Sequence, residues 1–158
     1  MEYELCEYLG FGNITEKTYA EWQQHFQIGA NAEMDANHET KMLERFGSTM
    51  ITDFPEMTSP FWNMSRHEGG ATSKKIDVIL GGMETIGSAE RSCDVDMMRD
   101  TFHTITDGAY SKLLFELFGK DRVESELEEF LEFDFFPRVG GGIGVTRMIP
   151  ALEGIQRV

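Results

Sequence analysis

The sequence predicts an α+β fold, with helices flanking a largely antiparallel sheet. Segments with β character cluster in the middle of the chain, between residues 50 and 91, whereas helical patterns follow residue 94. Strand and helix do not alternate regularly, as they would in a parallel α/β sheet. The 158 residues, of which 41% are hydrophobic, are typical of one soluble globular domain.

The first helical pattern lies in residues 14–26. Thr18 and Glu21 have the spacing of a capping box, in which the two residues satisfy each other's free backbone amides. The apolar side chains fall on one helical face: Tyr19, Trp22 and Phe26. Residues 29–37 are polar and carry no regular apolar period, so they predict a loop. We therefore interpret residues 1–37 as an N-terminal helical segment and loop without further assignment.

Residues 38–47 predict a short helix that ends at Gly47. Its inward side chains are expected to be Met42, Leu43 and Phe46. Four segments with β character follow, and two glycine pairs supply turns between the last three. The segments are residues 50–55, 61–64, 76–80 and 83–89, and the glycine pairs are Gly69–Gly70 and Gly81–Gly82.

Helical patterns dominate the last third of the chain. Asp94 can cap a helix, a second helix spans Tyr110 to Phe118 and ends at Gly119, and Asp121 opens a third. The apolar stripes of the first and third helices are Met98, Phe102 and Ile105, and Val123, Leu127, Phe130 and Leu131. The tail predicts a glycine-rich strand that runs into a final helix.

Composition excludes several classes of function. The formal charge is −14, from 14 basic and 28 acidic residues, and such a surface repels phosphate backbones, so we expect no DNA partner. No apolar run is long enough to cross a membrane, and the N-terminus is acidic where a signal peptide would be basic. Cys6 and Cys93 are far apart and fit no zinc motif. We therefore expect a reducing, cytoplasmic location and no membrane partner.

The tail carries the strongest local signal for chemistry. Four of the five residues from Gly140 to Gly144 are glycines, which lets a flat ligand approach the backbone closely. Arg147 follows in the first turn of the predicted helix, where its guanidinium can reach a phosphate or stack on a ring. The pattern is neither a phosphate-binding Walker loop nor a dinucleotide fingerprint. Tight packing of a glycine-rich strand against a helix is the structural alternative.

Two acidic residues on neighbouring predicted strands form a second candidate site. A hairpin can bring Asp77 and Glu84 to one end of a sheet, and two carboxylates with substrate phosphates can hold Mg²⁺. Acids are also common at strand ends, so the spacing alone leaves a structural role open. Strand alternation places Glu84, Ile86, Ser88 and Glu90 on one face, which is either solvated or a binding floor.

Taken together and in order, these segments resemble the C-terminal half of the class II aminoacyl-tRNA synthetase catalytic core. The aspartyl/asparaginyl/lysyl subgroup is the closest, and the asparaginyl branch with its asparagine-synthetase-like relatives fits best. The similar segments are His38-Glu39 followed by Leu43, Ile51 to Pro55, Pro60 to Met64, Ile76 to Leu80, Glu84 to Arg91, and Gly140 to Arg147. Residues 38–158 would accordingly form the C-terminal half of such a core.

The resemblance implies a ligase that activates an aspartate- or asparagine-like amino acid with Mg²⁺-ATP. It implies that Asp77 and Glu84 hold the metal and that Glu84 and Arg147 are catalytic. The implied ATP-binding residues are Glu84, Gly142, Gly144 and Arg147, and the implied amino-acid-binding residues are Ser88, Glu90, Arg91 and Arg138.

The first and second motifs of the class are not recognisable in residues 1–37. The alternatives are therefore a non-catalytic, synthetase-derived binding or assembly protein, or one half of a split enzyme. In the second case a first-half partner chain or a homodimer would complete the site. The acceptor of the activated amino acid stays open between tRNA, ammonia and another amine.

Overall fold

The computed structural model describes residues 2–155 and is organised around one five-stranded sheet. The strands are β1 (Thr15–Thr18), β2 (Thr49–Pro55), β3 (Thr72–Leu80), β4 (Met83–Arg91) and β5 (Arg138–Ile143). They lie in sequence order across the sheet, and only β1 and β2 are parallel. The predicted α+β fold with a largely antiparallel sheet is therefore confirmed.

Helices pack on both faces of the sheet, and three more pack on one another in a separate layer. They are α1 (Glu2–Tyr8), α2 (Tyr19–Phe26), α3 (Ala36–Phe46), α4 (Val95–Thr104), α5 (Ala109–Phe118), α6 (Lys120–Leu131) and α7 (Val145–Ile155). Short 3₁₀ turns lie at Glu56–Thr58 and Ile105–Gly108. Within the described range, no helix has both the length and the apolar content to cross a membrane.

The two faces of the sheet are buried by different helices. On the α7 face, α1 and α7 cover a core of Cys6, Met50, Val78, Leu80, Ile86, Met148 and Ala151. On the α3 face, α2 and α3 cover a core of Tyr19, Trp22, Met42, Ile51, Phe54 and Ile79. Neighbouring residues of a strand therefore enter different cores, as the strand pleat requires.

A third core lies within the α4–α6 layer. Trp62 enters it from the segment before β3, and the remaining buried members are Met98, Phe102, Val123, Leu127 and Leu131. The predicted helical stripes supply most of these residues, because a spacing of three or four residues places them on one side of each helix.

Several local signals act as predicted. The Thr18–Glu21 capping box starts α2, and the Asp94 side chain accepts a hydrogen bond from the Met97 amide at the start of α4. Gly81 and Gly82 form the two-residue turn between β3 and β4, with φ angles of 61° and 81°. A type I′ hairpin turn requires positive φ at both of its central positions, which glycine adopts without strain.

Three predictions of local structure are wrong. Residues 61–64 form a turn with a single bridge, Met64 to Arg91, because the Arg66 guanidinium binds backbone carbonyls of this segment and holds it folded. Residues 15–18 begin the predicted first helix but form β1, which pairs with β2. Leu43 is 38% exposed instead of inward, since it lies at the edge of α3 beside the Gly82 turn.

Candidate functional site

A β-bulge in the β3–β4 hairpin determines which side chains share the α3 face. Val78 pairs with Ile86 but Ile79 pairs with Glu84, so Thr85 is the extra residue. The bulge reverses the alternation on β4 at this point and turns Glu84 to the α3 face. The prediction that Glu84, Ile86, Ser88 and Glu90 line one face is therefore wrong.

The bulge brings the two predicted metal-binding carboxylates together. Asp77 pairs with Gly87 across the strands, and both carboxylates turn towards the empty side-chain position of that glycine. A Cβ atom at Gly87 would lie 3.0 Å from Glu84 Oε1 and 3.3 Å from Asp77 Oδ1. The absence of a side chain at residue 87 is therefore what allows the two oxygens to converge.

Asp77 is the most unusual titratable group of the site. Its Oδ2 accepts a hydrogen bond from Lys75 Nζ at 2.6 Å, whereas its buried Oδ1 has no hydrogen-bond partner. The pKa of Asp77 is raised to about 6, chiefly by burial; the charge and hydrogen bond of Lys75 act to lower it, and the charges of Glu84 and Glu39 act to raise it. An unsatisfied buried carboxylate oxygen is costly, and a cation would relieve that cost.

Glu39 of α3 joins these carboxylates and was not among the predicted site residues. Its Oε2 accepts a hydrogen bond from the backbone amide of Glu84 at 3.2 Å. Burial raises the pKa of Glu39, and the charge of Glu84 acts in the same direction. One feature of the sequence pointed to it. Glu39 precedes the inward Met42 and Phe46 by three and seven residues, which places it on the same face of the helix. An acid on an apolar helical stripe needs a partner inside the protein.

Arg147 lies beside the Glu84 carboxylate. The Gly144 amide donates to the Thr85 carbonyl at 2.8 Å, which fixes the start of α7 beside the bulge. Arg147 Nη1 then donates to the Glu84 carbonyl at 2.6 Å and lies 3.8 Å from Glu84 Oε2. Gly142 pairs with Gly87 on the neighbouring strand, and a Cβ atom there would meet nothing within 4 Å. The floor beside the carboxylates is therefore open.

Arg91 and Arg138 lie farther along the same face, directly opposite each other on β4 and β5. Arg91 donates to Asn63 Oδ1 at 3.1 Å and to the Gly140 carbonyl at 3.2 Å. Arg138 donates to the Ser92 carbonyl at 3.2 Å and stacks on the Phe135 ring. The strand register thus places both predicted arginines on the open floor.

Ser88 and Glu90 are not brought together with the other predicted site residues. Ser88 donates to Glu2 Oε1 at 2.8 Å on the α7 face, where α1 covers it. Glu90 points to the same side and forms an ion pair with Lys74 at 2.8 Å. Their amino-acid-binding role stays a prediction. From this face of the sheet, the two side chains could affect the site only indirectly, through the backbone of β4.

The site offers a partial metal shell. Within residues 2–155, the His, Cys, Asp and Glu side chains form no cluster of three or more that could hold a metal ion. Asp77 and Glu84 nevertheless supply two converging oxygens, one of them without a partner. Mg²⁺ is commonly held by one or two carboxylates together with substrate phosphates, so these residues fit that ion when a nucleotide completes the shell.

Comparison with known proteins identifies the family to which this chain belongs. The family described as tRNA synthetases class II (D, K and N) matches residues 11–158. The chain therefore belongs to the class II tRNA synthetase family of the aspartate, lysine and asparagine type. Class II synthetases in general use ATP with Mg²⁺.

Solved structures of Asp- and Asn-type synthetases share the fold. An aspartyl-tRNA synthetase from Entamoeba histolytica is similar with 19% identity and a TM-score of 0.68, over 92% of this chain and 30% of that one. An asparaginyl-tRNA synthetase from Pyrococcus horikoshii, complexed with asparaginyl-adenylate, has 16% identity and a TM-score of 0.68, over 89% and 32%. The Entamoeba histolytica asparaginyl enzyme with asparaginyl-adenylate has 16% identity and a TM-score of 0.67, over 96% and 35%. This chain spans about a third of each.

Proposed function

We propose that this chain is an ATP-dependent, amino-acid-activating ligase that forms an aminoacyl-adenylate from an aspartate- or asparagine-like amino acid. The observation that carries the proposal is the convergence of Asp77 Oδ1 and Glu84 Oε1 over Gly87, with the first oxygen unpartnered. Family membership supports the reaction class, and the adenylate complexes of the two asparaginyl relatives support the kind of product.

The reaction would need positioning and charge stabilisation but no protein nucleophile. The amino-acid carboxylate attacks the α-phosphorus of ATP, a P–O bond forms, and the bond to the departing pyrophosphate breaks. Negative charge develops on the phosphate oxygens during this displacement, so correctly placed positive charge accelerates it. Asp77 and Glu84 would hold Mg²⁺, which supplies part of that charge when bound.

The other residues would bind and orient the substrates. The Arg147 side chain is about half exposed, at 49%, and its guanidinium can turn from the Glu84 carbonyl to a phosphate or the adenine ring. Gly142 and Gly144 would form the backbone floor under the nucleotide, because nothing lies above Gly142. Arg91 and Arg138 would face the amino acid at the far end of the same floor.

Calorimetric binding of ATP, with and without Mg²⁺, tests the site directly. Glu84→Gln keeps the shape of the side chain but removes its charge, so it should lower affinity for Mg²⁺-ATP by about tenfold or more, since hydrogen bonds to charged groups contribute about 1.5–3 kcal/mol. ATP without metal should be affected little.

Glu129→Gln is the matched control, because Glu129 is an exposed carboxylate on α6, outside the sheet. It removes the same charge from the chain, so it separates a site effect from a change in net charge. Equal affinity of the wild type and Glu84→Gln for Mg²⁺-ATP would refute the assignment.

One observation favours a second proposal, in which the chain is one half of a split enzyme or part of a homodimer. In the described part of the chain, β5 is an edge strand with a neighbour on one side only, and Val139 on it is 60% exposed. An edge with free backbone groups can accept another strand. If so, the isolated chain should bind Mg²⁺-ATP but exchange pyrophosphate only after a complementing chain is added.

The remaining parts of the proposal concern partners and location. We propose tRNA as one acceptor of the activated amino acid, with ammonia or another amine as alternatives. We also propose a cytoplasmic protein, which agrees with two free thiols at Cys6 and Cys93. A tRNA aminoacylation assay, run beside an ammonia-dependent amide assay, distinguishes the acceptors.

A further inference from the structure

The α4–α6 layer contains a cavity that the proposed function does not use. Its volume is about 250 Å³, and its walls come from Trp62 and from side chains of all three helices. Seven of the eight residues that line it are apolar, and the eighth is Glu126. An apolar cavity of about 150 Å³ is already large enough to bind benzene. The space in this layer therefore fits a ring that carries a small substituent.

Trp62 brings an unpaired hydrogen-bond donor to these apolar walls. Its side chain is 8% exposed, and within residues 2–155 its buried indole N–H has no hydrogen-bond partner. The other tryptophan, Trp22, donates its indole N–H to the Met50 carbonyl at 3.3 Å. A buried tryptophan N–H usually finds an acceptor, because an unpaired donor costs free energy. A ligand in the cavity beside Trp62 can supply that acceptor.

The packing around the indole ring holds Trp62 in this arrangement. Phe102 of α4 and Phe130 of α6 meet the ring edge to face, with centroid distances of 5.4 and 5.5 Å. Such contacts stabilise the ring beyond the area they bury, and neither phenylalanine carries a hydrogen-bond acceptor. A rotation of the indole towards an acceptor elsewhere would break both contacts. The donor therefore stays at the cavity.

The charges at the cavity indicate a neutral ligand. Glu126 is the ionisable residue of the lining, and its Oε1 already accepts a hydrogen bond from Arg122 Nε at 2.8 Å. This carboxylate therefore needs no cation from a ligand. An anion is disfavoured as well, because the walls are apolar and the chain has a formal charge of −14. These properties exclude a nucleotide and a free amino acid, so the cavity is distinct from the site on the sheet.

The entrance to the cavity lies on an exposed apolar surface of α5. Phe118 lines the cavity and is more than half exposed. Leu113 and Leu117, on the same helix, are also more than half exposed. Contiguous exposed apolar residues commonly mark a binding groove. An apolar molecule can thus reach the cavity from solvent without unfolding of the layer.

We propose that this cavity binds a neutral, mainly apolar molecule about the size of a substituted benzene, which accepts a hydrogen bond from Trp62 Nε1. Aromatic ketones have this chemistry, since their ring replaces water along the apolar walls and their carbonyl oxygen pairs the free donor. The inference is independent of amino-acid activation, because no residue assigned to Mg²⁺-ATP or to the amino acid lines the cavity.

A nuclear magnetic resonance titration of the ¹⁵N-labelled chain tests this site, because the chain has two tryptophans and so two indole N–H signals. The probe is acetophenone, and the control is α-methylstyrene, in which a methylene group replaces the carbonyl oxygen. Both probes carry the same ring, so their ring-current effects are matched. Acetophenone should move the Trp62 proton signal downfield until it saturates, whereas α-methylstyrene should cause no such downfield movement.

Calorimetry on two variants measures the contribution of the hydrogen bond. Trp62→Phe keeps an aromatic wall but removes the donor, and it also assigns the signal. It should weaken acetophenone binding by about fivefold or more, the effect of one hydrogen bond, and change α-methylstyrene binding little. Leu117→Ala is the matched control, because Leu117 is an exposed residue of α5 that does not line the cavity. It should bind both probes as the wild type does.

Three results would overturn the proposal. The first is no saturable movement of the Trp62 signal at millimolar acetophenone, which would mean that the cavity is closed or holds only water in solution. The second is the same movement with both probes, and the third is an equal loss of affinity for both probes in Trp62→Phe. The comparison of the two probes needs only the wild type, so it decides the question even if Trp62→Phe does not fold.

Discussion

Replacing Asp77 by asparagine should make the stability of the protein less dependent on pH. Asp77 is 5% exposed, and burial raises its pKa to about 6 from an ordinary value of 3.8. An acid with a raised pKa stabilises the fold while it is protonated, and that contribution is lost as the pH rises through the folded-state value. An asparagine side chain at this position would fill the same space without ever becoming charged.

The magnitude follows from the difference between the two pKa values. About two units at roughly 1.4 kcal/mol each give about 3 kcal/mol for the complete change. Because the titrations of Asp77 in the folded and the unfolded state overlap, about 2 kcal/mol of this change should fall between about pH 4 and pH 7. Over this range the free energy of unfolding of the wild type should decrease by that amount relative to Asp77→Asn, so the variant gains stability relative to the wild type as the pH rises.

Urea unfolding of both proteins across this pH range measures the difference, and other titrating groups cancel in the subtraction. Glu129→Gln serves as the control, because it removes one carboxylate charge from an exposed position on α6, outside the site. A constant difference for Asp77→Asn, or one that grows in favour of the wild type as the pH rises, would refute the account of Asp77.

Three further substitutions separate the site from the scaffold. Gly87→Ala places a methyl group 3.0 Å from Glu84 Oε1, so calorimetry should show affinity for Mg²⁺-ATP reduced by about tenfold or more while the circular dichroism spectrum is unchanged; unchanged affinity would contradict the convergence over this glycine. Thr18→Ala removes the α2 cap and should cost about 1 kcal/mol in urea unfolding, and no loss would mean that the cap is redundant. Leu127→Ala opens the α4–α6 core and should cost about 2–5 kcal/mol without affecting nucleotide affinity, so a loss of binding would show that this layer is coupled to the site.

The features predicted correctly from sequence are those determined by a few neighbouring residues. The Thr18–Glu21 box and the Asp94 cap satisfy backbone amides within one helical turn, and the Gly81–Gly82 turn depends on backbone conformations that glycine adopts without strain. The apolar stripes of the helices after residue 94 were also predictable from sequence, since their spacing repeats over several turns.

The features that sequence reasoning missed depend on contacts between distant segments. Strand β1 exists because residues 15–18 pair with β2, more than 30 residues later, and this pairing overrides the helical pattern that begins there. The bulge at Thr85 leaves no local pattern, yet it decides that Glu84 faces Asp77. Glu39 enters the site only because α3 packs over the β3–β4 turn, which no periodicity reveals.

Sequence reasoning indicated some of the residues that lie together in the candidate site, but not their geometry. Asp77, Glu84 and Arg147 are brought together as expected from the resemblance, whereas Ser88 and Glu90 lie on the other face of β4. The reversal of strand alternation at a bulge explains the difference, because it moves one residue of β4 without moving the next ones.

Amino-acid-dependent exchange of pyrophosphate into ATP is the most direct test of the central claim, that this site activates an amino acid. The purified chain would be assayed with Mg²⁺ and each of the twenty amino acids, beside Glu84→Gln and Glu129→Gln. We predict exchange with aspartate or asparagine, its loss in Glu84→Gln, and its retention in Glu129→Gln. Silence with all twenty amino acids, under conditions in which calorimetry shows that Mg²⁺-ATP is bound, would contradict the claim that this chain activates an amino acid by itself.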